Sequence, residues 1–212
     1  LGHEPVRIGN VPALLEAIRR GPLGVDAAVT IAESYGSRNR EAHAPILLEL
    51  AGVPTVGSDA LALSVSLDKH LTKVVARAAG VATPDWRVVR DGAEARAVDL
   101  PLPVFVKPRY EGTAKGIAPS SRCETPAAAA AEADRQLALY GQDLIAEAFV
   151  DGAEFTVGVV GTGATAEALP VLQRAVERAS GIGLHALERH ERPEAPFDYD
   201  VAGVLTAELE ER

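Results

Sequence analysis

Short apolar runs alternate with amphipathic stretches along the first part of the chain, and this pattern predicts strands that alternate with helices. Strands are predicted at three apolar runs: Pro5–Ile8, Asp26–Ala32 and Val53–Ser58. Helices are predicted from Asn10 to Arg20 and over Glu41–Leu50, and a glycine follows each of them closely. Such alternation is typical of a parallel, doubly wound sheet. The sequence therefore predicts an N-terminal α/β domain over residues 1–68.

A second group of elements follows an amphipathic helix predicted at Leu67–Ala79. The dipeptide Thr83-Pro84 is a candidate domain junction, because the residue before a proline avoids the helical conformation. Strands are then predicted at Trp86–Val89, Asp143–Val150 and Glu154–Val160. A helix is predicted at Thr125–Tyr140. The last two strands are predicted to be joined through Asp151-Gly152 as a hairpin. An acidic helix is predicted within Ala195–Arg212.

One apolar run delivers a lysine to its end and passes directly into a loop of small residues. The stretch reads VFVKPRYEGTAKGI, with Lys107 at the strand end and Gly112, Thr113, Lys115 and Gly116 in the loop. Glycines let backbone N–H groups approach phosphates closely, and an ammonium group supplies a point charge. The stretch therefore indicates a phosphate-binding site, although a single lysine at a strand end is more often a surface residue.

Composition narrows the function classes. The chain has 212 residues, 47% hydrophobic and 4% aromatic, which is typical of an α/β protein large enough for two compact units. The formal net charge of −9 argues against nonspecific nucleic-acid binding. Without an apolar run of membrane-spanning length or a signal peptide, no membrane association is predicted. Cys123 is the only cysteine, which excludes an intrachain disulfide and favours a reducing cytoplasm.

Three weaker motifs favour structural roles over chemical ones. Gly161–Ala166 matches a dinucleotide-binding fingerprint, but Pro170 arrives too soon for the helix that must follow, so a β-turn is favoured. The five histidines show no i,i+4 pairing and no carboxylate at a metal spacing, so no metal site is predicted. Ser34 and Ser37 lie in a loop without a nucleophile-elbow pattern, which gives a hydrolase triad little support.

Four motifs occur in a fixed order along the chain. They are VGSD at Val56–Asp59, SLDKHLTK at Ser66–Lys73, the central VFVKPRYEGTAKGI, and LIAEAFVDGAEFTVGVV at Leu144–Val160. Together they resemble the D-alanine–D-alanine ligase family of ATP-grasp enzymes, over about residues 27–170. The loop AESYGSRNREA at Ala32–Ala42 is more similar to the loop of the family's ligase-like relatives than to that of its best-known members. The resemblance implies that an α+β ATP-grasp domain, incomplete at its C-terminus, follows over residues 69–212.

The resemblance also implies where ATP phosphates bind. Lys69 would bind nucleotide phosphate, and Lys107 would lie over the α-phosphate and the adenine side. The loop with Gly112, Lys115 and Gly116 would close over the β- and γ-phosphates. Thr113 stands where the family places a loop serine that faces substrate, which makes it the candidate catalytic residue.

The adenosine part of ATP is assigned in the same way. Glu147 would accept a hydrogen bond from the exocyclic amine of adenine, and the backbone of the segment that continues through Ala148 would read the ring edge. Phe149 and Val150 would supply apolar walls. Glu154 matches the carboxylate that hydrogen-bonds the ribose.

The reaction implied is ATP-dependent carboxylate–amine ligation through an acyl-phosphate, with small amino-acid-like carboxylate and amine substrates. Mg²⁺ is the second implied cofactor, and its ligands are expected beyond residue 212. The start at Leu1 and the absence of Met indicate a partial chain. A homodimer is left open. The alternative is a noncatalytic module that binds nucleotide or a partner and lacks the metal-binding half.

The second-substrate side of the site has fewer candidates. Phe197–Asp200 partly matches the family's YDYEAKY-like loop, and Arg189 is a candidate cation near it. Arg38 and Arg40 could bind a substrate carboxylate as forks, but solvated loop charges are the favoured interpretation.

Overall fold

The dipeptide Thr83-Pro84 marks the division of the chain into two units. In the computed structural model these units are Leu1–Thr83 and Pro84–Arg212. The structure describes residues 2–34, 36–183, 199–200 and 206–210. The division coincides with the candidate junction at this dipeptide. The limits 1–68 and 69–212, drawn from the family resemblance, stay a prediction.

The first unit contains four helices and two short strands among its described residues. They are α1 Val11–Arg20, β1 Ala28–Val29, α2 His43–Leu50, β2 Thr55–Val56, α3 Ala60–Leu67 and α4 Lys69–Ala78. The strands pair in parallel, with Ala28 opposite Thr55. Leu14, Leu48 and Val53 are buried in a small core between these elements. A parallel pair flanked by helices agrees with the predicted α/β class.

Local sequence explains where helices begin in this unit. The side chain of Asn10 accepts a hydrogen bond from the amide of Ala13 at 3.1 Å, and so caps α1. Asp68 caps α4 by accepting from the amides of His70 and Leu71. The predicted helix Leu67–Ala79 is therefore α4, with Leu67 assigned to the preceding helix.

One predicted strand of the first unit is wrong. Pro5–Ile8 forms no strand, although these residues are described. Strand conformation depends on pairing with a neighbouring strand, and β1 pairs with β2 instead. A short apolar run alone was not enough to predict a strand there.

The second unit is richer in strands. Its described strands are β3 Trp86–Val89, β4 Val104–Pro108, β5 Arg122–Cys123, β6 Leu144–Ala148, β7 Glu154–Thr156, β8 Val159–Val160, β9 Glu167–Ala168, β10 Leu172–Arg174, β11 Val176–Glu177 and β12 Tyr199–Asp200. Its described helices are α5 Gly92–Arg96, α6 Pro126–Tyr140 and α7 Ala207–Glu210. None of the helices in the described part of the chain is both long enough and apolar enough to cross a membrane.

A four-stranded antiparallel sheet is the centre of the second unit, in the order β3–β6–β4–β5. Helices α5 and α6 pack on one face, because small α6 residues such as Ala129 and Ala133 fit against Val104, Val106 and Leu144. Helix α6 begins as predicted, with the Thr125 hydroxyl accepting from the amide of Ala128 at 3.1 Å.

The predicted hairpin through Asp151-Gly152 is wrong. Strand β6 pairs with β3 and β4, whereas β7 pairs with β10. A turn signal in the sequence does not decide which strands pair, because pairing depends on residues far away along the chain. The turn predicted at Gly161–Ala166 is confirmed, since it joins β8 to β9 through a 3₁₀ turn. Helix α7 is the described part of the predicted acidic helix.

Candidate functional site

The central sheet presents a second face, opposite the one that α5 and α6 cover. Because side chains alternate along a strand, burial of Val104 and Val106 against the helices directs Phe105 and Lys107 to the opposite side. Strand register places Glu147 beside Phe105 on this side, and Trp86 beside Glu147. Arg122 of β5 also pairs with Phe105. We call the face formed by Trp86, Phe105, Lys107, Arg122 and Glu147 the polar face.

An ion pair lies at the centre of the polar face. The ammonium group of Lys107 donates a hydrogen bond to Oε1 of Glu147. The two side chains are 20% and 11% exposed, so water reaches them only in part. The Lys107 ammonium also lies 5.7 Å from the ring centroid of Phe105. Glu147 engages one of the three N–H donors that the ammonium carries, and the side chain keeps partial contact with solvent.

The segment after Glu147 lies along the edge of this face. The amide of Ala148 donates to the carbonyl of Asp85 at 2.9 Å, and the amide of Phe149 donates to that of Pro103 at 3.0 Å. Val150 follows and is 68% exposed. Two amides of the predicted base-reading segment are therefore already bonded within the protein, and the amide of Val150 is the next candidate.

Apolar and cationic groups surround Phe149. Its ring centroid lies 5.9 Å from that of Phe105. The Arg122 guanidinium lies 4.5 Å from the Phe149 centroid and donates to the carbonyl of Ser180 at 2.9 Å. Ile182, 4% exposed, forms a buried cluster with Phe105, and Phe149 packs against this cluster. Sequence reasoning missed Arg122 and Ile182, because β5 has only two residues and Ile182 lies in a polar segment.

The predicted glycine loop, which follows Pro108 in the stretch that ends at Ile117, comes directly after β4. Thr113 and Ala114 have φ angles of 54° and 63°, in the left-handed region that side chains rarely adopt. Gly116 has a φ of 83°, and a Cβ on it would lie 2.4 Å from Cγ of Pro108. Lys115 lies 3.9 Å from Glu111, measured from Nζ to Oε2. The loop thus turns through two left-handed residues, Thr113 and Ala114, and Lys115 places a cation directly after them.

The remaining residues predicted to bind the nucleotide, Glu154 and Lys69, are not on the central sheet. Glu154 is on β7, and its carboxylate touches Gly183 so closely that a Cβ on Gly183 would lie 1.7 Å from Oε2. Lys69 is the first residue of α4 in the first unit.

The first unit also holds the two arginines considered for a substrate carboxylate. Arg40 is 5% exposed, so the interpretation as a solvated charge does not hold for it, whereas Arg38 is exposed.

Polar groups are also buried beneath the sheet. Burial alone would raise the pKa of Glu132, but hydrogen bonds from Arg135 and Gln136 and the charge of Arg135 lower it below its usual value. Burial, with Glu132 and Glu124 nearby, raises the pKa of the Cys123 thiol to about 12. Cys123 is therefore an unreactive core residue rather than a nucleophile.

The described residues include no candidate metal site and only half of the predicted second-substrate loop. Within the described ranges, no group of three His, Cys, Asp or Glu residues lies where it could hold a metal ion. Of the predicted loop Phe197–Asp200, only Tyr199 and Asp200 are described, as β12 paired with β11. Arg189, Phe197 and Asp198 lie outside the described residues.

Sequence comparison gives the family. The family model described as D-ala D-ala ligase C-terminus matches residues 75–192, more than half of the chain. The chain belongs to the D-alanine–D-alanine ligase family. A D-alanine–D-alanine ligase of Acidovorax ebreus is 35% identical over 144 residues, which are 66% of this chain and 41% of that protein. One of Cupriavidus taiwanensis is 44% identical over 129 residues, 60% of this chain and 38% of that protein. The chain thus spans about two fifths of these curated relatives.

Comparison with solved structures supports the fold. The D-alanyl-alanine synthetase A of Vibrio cholerae matches with a TM-score of 0.62 and 15% identity, over 88% of this chain and 56% of that one. At this identity the match speaks for the fold alone. The expected fold class, an α/β unit followed by part of an ATP-grasp domain, is confirmed.

Proposed function

We propose that this D-alanine–D-alanine ligase family member is part of an ATP-dependent ligase that joins a small amino-acid-like carboxylate to an amine. The observation that carries this proposal is the ion pair of Lys107 and Glu147 on the polar face, beside Phe149 and at the base of a glycine loop. A cation, a carboxylate acceptor and apolar rings are the groups that a purine nucleotide requires.

The proposed reaction has two steps. A carboxylate oxygen of the first substrate attacks the γ-phosphorus of ATP, the bond to the bridging oxygen breaks, and ADP leaves. The amine nitrogen of the second substrate then attacks the acyl carbon, phosphate leaves with the electron pair of its C–O bond, and the nitrogen loses a proton. Catalysis of this kind depends on positioning and on neutralising charge.

Each predicted residue has a distinct task in that reaction. Lys107 neutralises phosphate charge while Glu147 holds its ammonium in place, and the Glu147 carboxylate accepts from the adenine amine. Phe149 forms an apolar wall, Glu154 accepts from the ribose hydroxyls, and Thr113 at the loop tip faces substrate. Closure of the loop would exclude water, which otherwise hydrolyses an acyl-phosphate.

The other predicted contacts are at the phosphates and at the metal. Gly112, Lys115 and Gly116 would surround the β- and γ-phosphates with backbone amides and one cation, and Lys69 is proposed as a further phosphate ligand. Mg²⁺ would add positive charge at the phosphates. Because the described residues offer no group that fits a metal ion, no step is assigned to it in this chain.

A thermal-shift titration of the purified chain with a nonhydrolysable ATP analogue tests the site. At a hundredfold excess over Kd, binding should stabilise the folded state by about 2.7 kcal/mol. The double variant Lys107→Ala with Glu154→Ala should lose this shift, whereas Arg90→Met, at an exposed ion pair with Glu94, should retain it. The absence of any shift, or a shift that survives the double substitution, would contradict the assignment.

An amino-acid-dependent phosphate-release assay separates ligation from the noncatalytic alternative. Phosphate released only with ATP, an amino acid and an amine supports ligation, and the acids that support release give the substrate class. Nucleotide binding without any release would favour a noncatalytic module.

A further inference from the structure

The C-terminal end of the glycine loop is bonded to helix α6. The carbonyl of Gly116 accepts from Nη2 of Arg135 at 3.2 Å, and the Ser121 hydroxyl oxygen lies 3.4 Å from the same carbonyl. Because Pro108 leaves no room for a Cβ on Gly116, the loop backbone also lies directly against the end of β4. This end of the loop is therefore fixed both by hydrogen bonds and by close packing.

Arg135 is itself held rigidly. It binds Glu132 through two hydrogen bonds, Nε to Oε2 at 2.8 Å and Nη2 to Oε1 at 2.6 Å. Glu132 Oε1 also accepts from Gln136 at 2.6 Å and from Ser121 at 3.1 Å. Gln136 in turn donates to the carbonyl of Val106 in β4 at 2.8 Å. Glu132, Gln136 and Ser121 are at most 3% exposed, and buried charge-assisted bonds of this kind are strong.

The N-terminal end of the loop is bonded to the turn that follows α6. The amide of Tyr110 donates to Oε1 of Gln142 at 2.7 Å, and the amide of Arg109 donates to the carbonyl of Asp143 at 3.0 Å. The side-chain amide of Gln142 then donates to Glu111 at 2.8 Å. Gln142 thus accepts from one loop residue and donates to the next.

Between the two ends lies a tip of four residues, Gly112–Lys115. Two backbone hydrogen bonds here are local, from the amide of Lys115 to the carbonyl of Gly112 and from the amide of Ile117 to the carbonyl of Ala114. The tip holds both left-handed non-glycine residues of the loop, Thr113 and Ala114.

We propose that Arg135 and Gln142 are positioning residues that fix the two ends of the glycine loop to α6 and its following turn, so that closure moves the tip Gly112–Lys115 alone. The last part of this inference rests on the proposed nucleotide function. The anchoring itself does not, because the hydrogen bonds exist without a ligand.

Hydrogen exchange of single amides in the full chain, followed by NMR without nucleotide, tests the anchors. Gln142→Ala removes the acceptor of the Tyr110 amide and should speed its exchange roughly tenfold. Gln142→Glu alone would face the Glu111 carboxylate, so the control is Gln142→Glu combined with Glu111→Gln, which keeps an acceptor for the Tyr110 amide and should leave it protected. Arg135→Met should speed exchange at Ala118, whose amide donates to Ser121, while the surface variant Arg90→Met should change neither site.

Titration of the same variants with an ATP analogue tests the consequence. Arg135→Met and Gln142→Ala should weaken binding roughly tenfold, because a loop released at one end loses its preorganised shape. Arg135→Lys should recover part of this loss, since an ammonium still reaches one partner. Unchanged exchange at Tyr110 in Gln142→Ala would overturn the anchoring, even if Arg135→Met fails to fold. Altered exchange in a chain that binds no nucleotide would instead contradict the proposed function and leave the anchors standing.

Discussion

The two faces of the central sheet differ in what their side chains do. On the face covered by helices, Val104, Val106 and Leu144 are fully buried and pack against alanines of α6. On the polar face, at alternate positions of the same strands, Lys107 and Glu147 are partly exposed and paired. The same β4 backbone therefore contributes to the core with one side and to the proposed nucleotide site with the other.

Because the two faces are separate, we expect that substitutions can change the stability of the protein and its proposed nucleotide affinity independently. Substitutions on the helix-covered face should lower the free energy of unfolding and leave the nucleotide affinity of the folded protein intact. Substitutions on the polar face should do the reverse, provided that no charge is left without a partner.

The largest effect is expected at Leu144, on the helix-covered face. Leu144→Ala leaves a cavity and should lower the free energy of unfolding by about 2–5 kcal/mol. Leu139→Ala, on a 62% exposed position of α6, should change it by no more than about 0.5 kcal/mol. Urea unfolding measures both. A Leu144→Ala protein that is as stable as the native chain, or that is stable but no longer binds the ATP analogue, would contradict the separate roles of the two faces.

The next effect is expected at Lys107, on the polar face. Lys107→Met should weaken binding of the ATP analogue about tenfold to a hundredfold, the effect of losing a hydrogen bond to a charged group. It also leaves Glu147 without its cation, so some stability is lost as well. Adding Glu147→Gln removes that charge and should restore the melting temperature but not the affinity. Calorimetry of both variants decides, and affinity restored by the second substitution would show that Lys107 does not contact the nucleotide.

A smaller effect concerns pH and the buried Glu132. Its pKa in the folded protein lies below the ordinary 4.5, so its contribution to stability is complete above about pH 4.5 and is lost as pH falls through the folded pKa. Glu132→Gln cannot titrate, and the stability difference between it and the native chain should shrink as pH falls below 4.5. Urea unfolding between pH 7 and pH 3 measures this, with the exposed Glu167→Gln as control. A constant difference would mean that the Glu132 pKa is not lowered.

Helix starts could be predicted from the sequence because their causes are local. Asn10 and Thr125 cap helices through amides three residues away, and each stands in a recognisable sequence context. Strand pairing could not be predicted in the same way. Nothing within Asp151-Gly152 reveals that β6 pairs with β3 and β4, because those partners lie far away along the chain.

The candidate site was predictable in part for a similar reason. Lys107 and Glu147 were each singled out by their motifs, but their ion pair joins residues forty positions apart. Glu132 and Arg135 gave no signal at all, because charged residues in an alanine-rich helix resemble an ordinary exposed face. Only tertiary packing places Glu132 in the interior with hydrogen-bonding partners.

The hydrogen bonds at both ends of the glycine loop limit how far its tip can move and leave only a few residues free to move. Four extended residues, Gly112–Lys115, span roughly 14 Å of chain, so a tip held at both ends stays within roughly 7 Å of its anchors. Movements of so few residues take nanoseconds to microseconds. If the loop closes over nucleotide as proposed, opening and closing of its tip would be much faster than an ordinary turnover of roughly 10 per second, and the slow step of the proposed reaction would lie elsewhere.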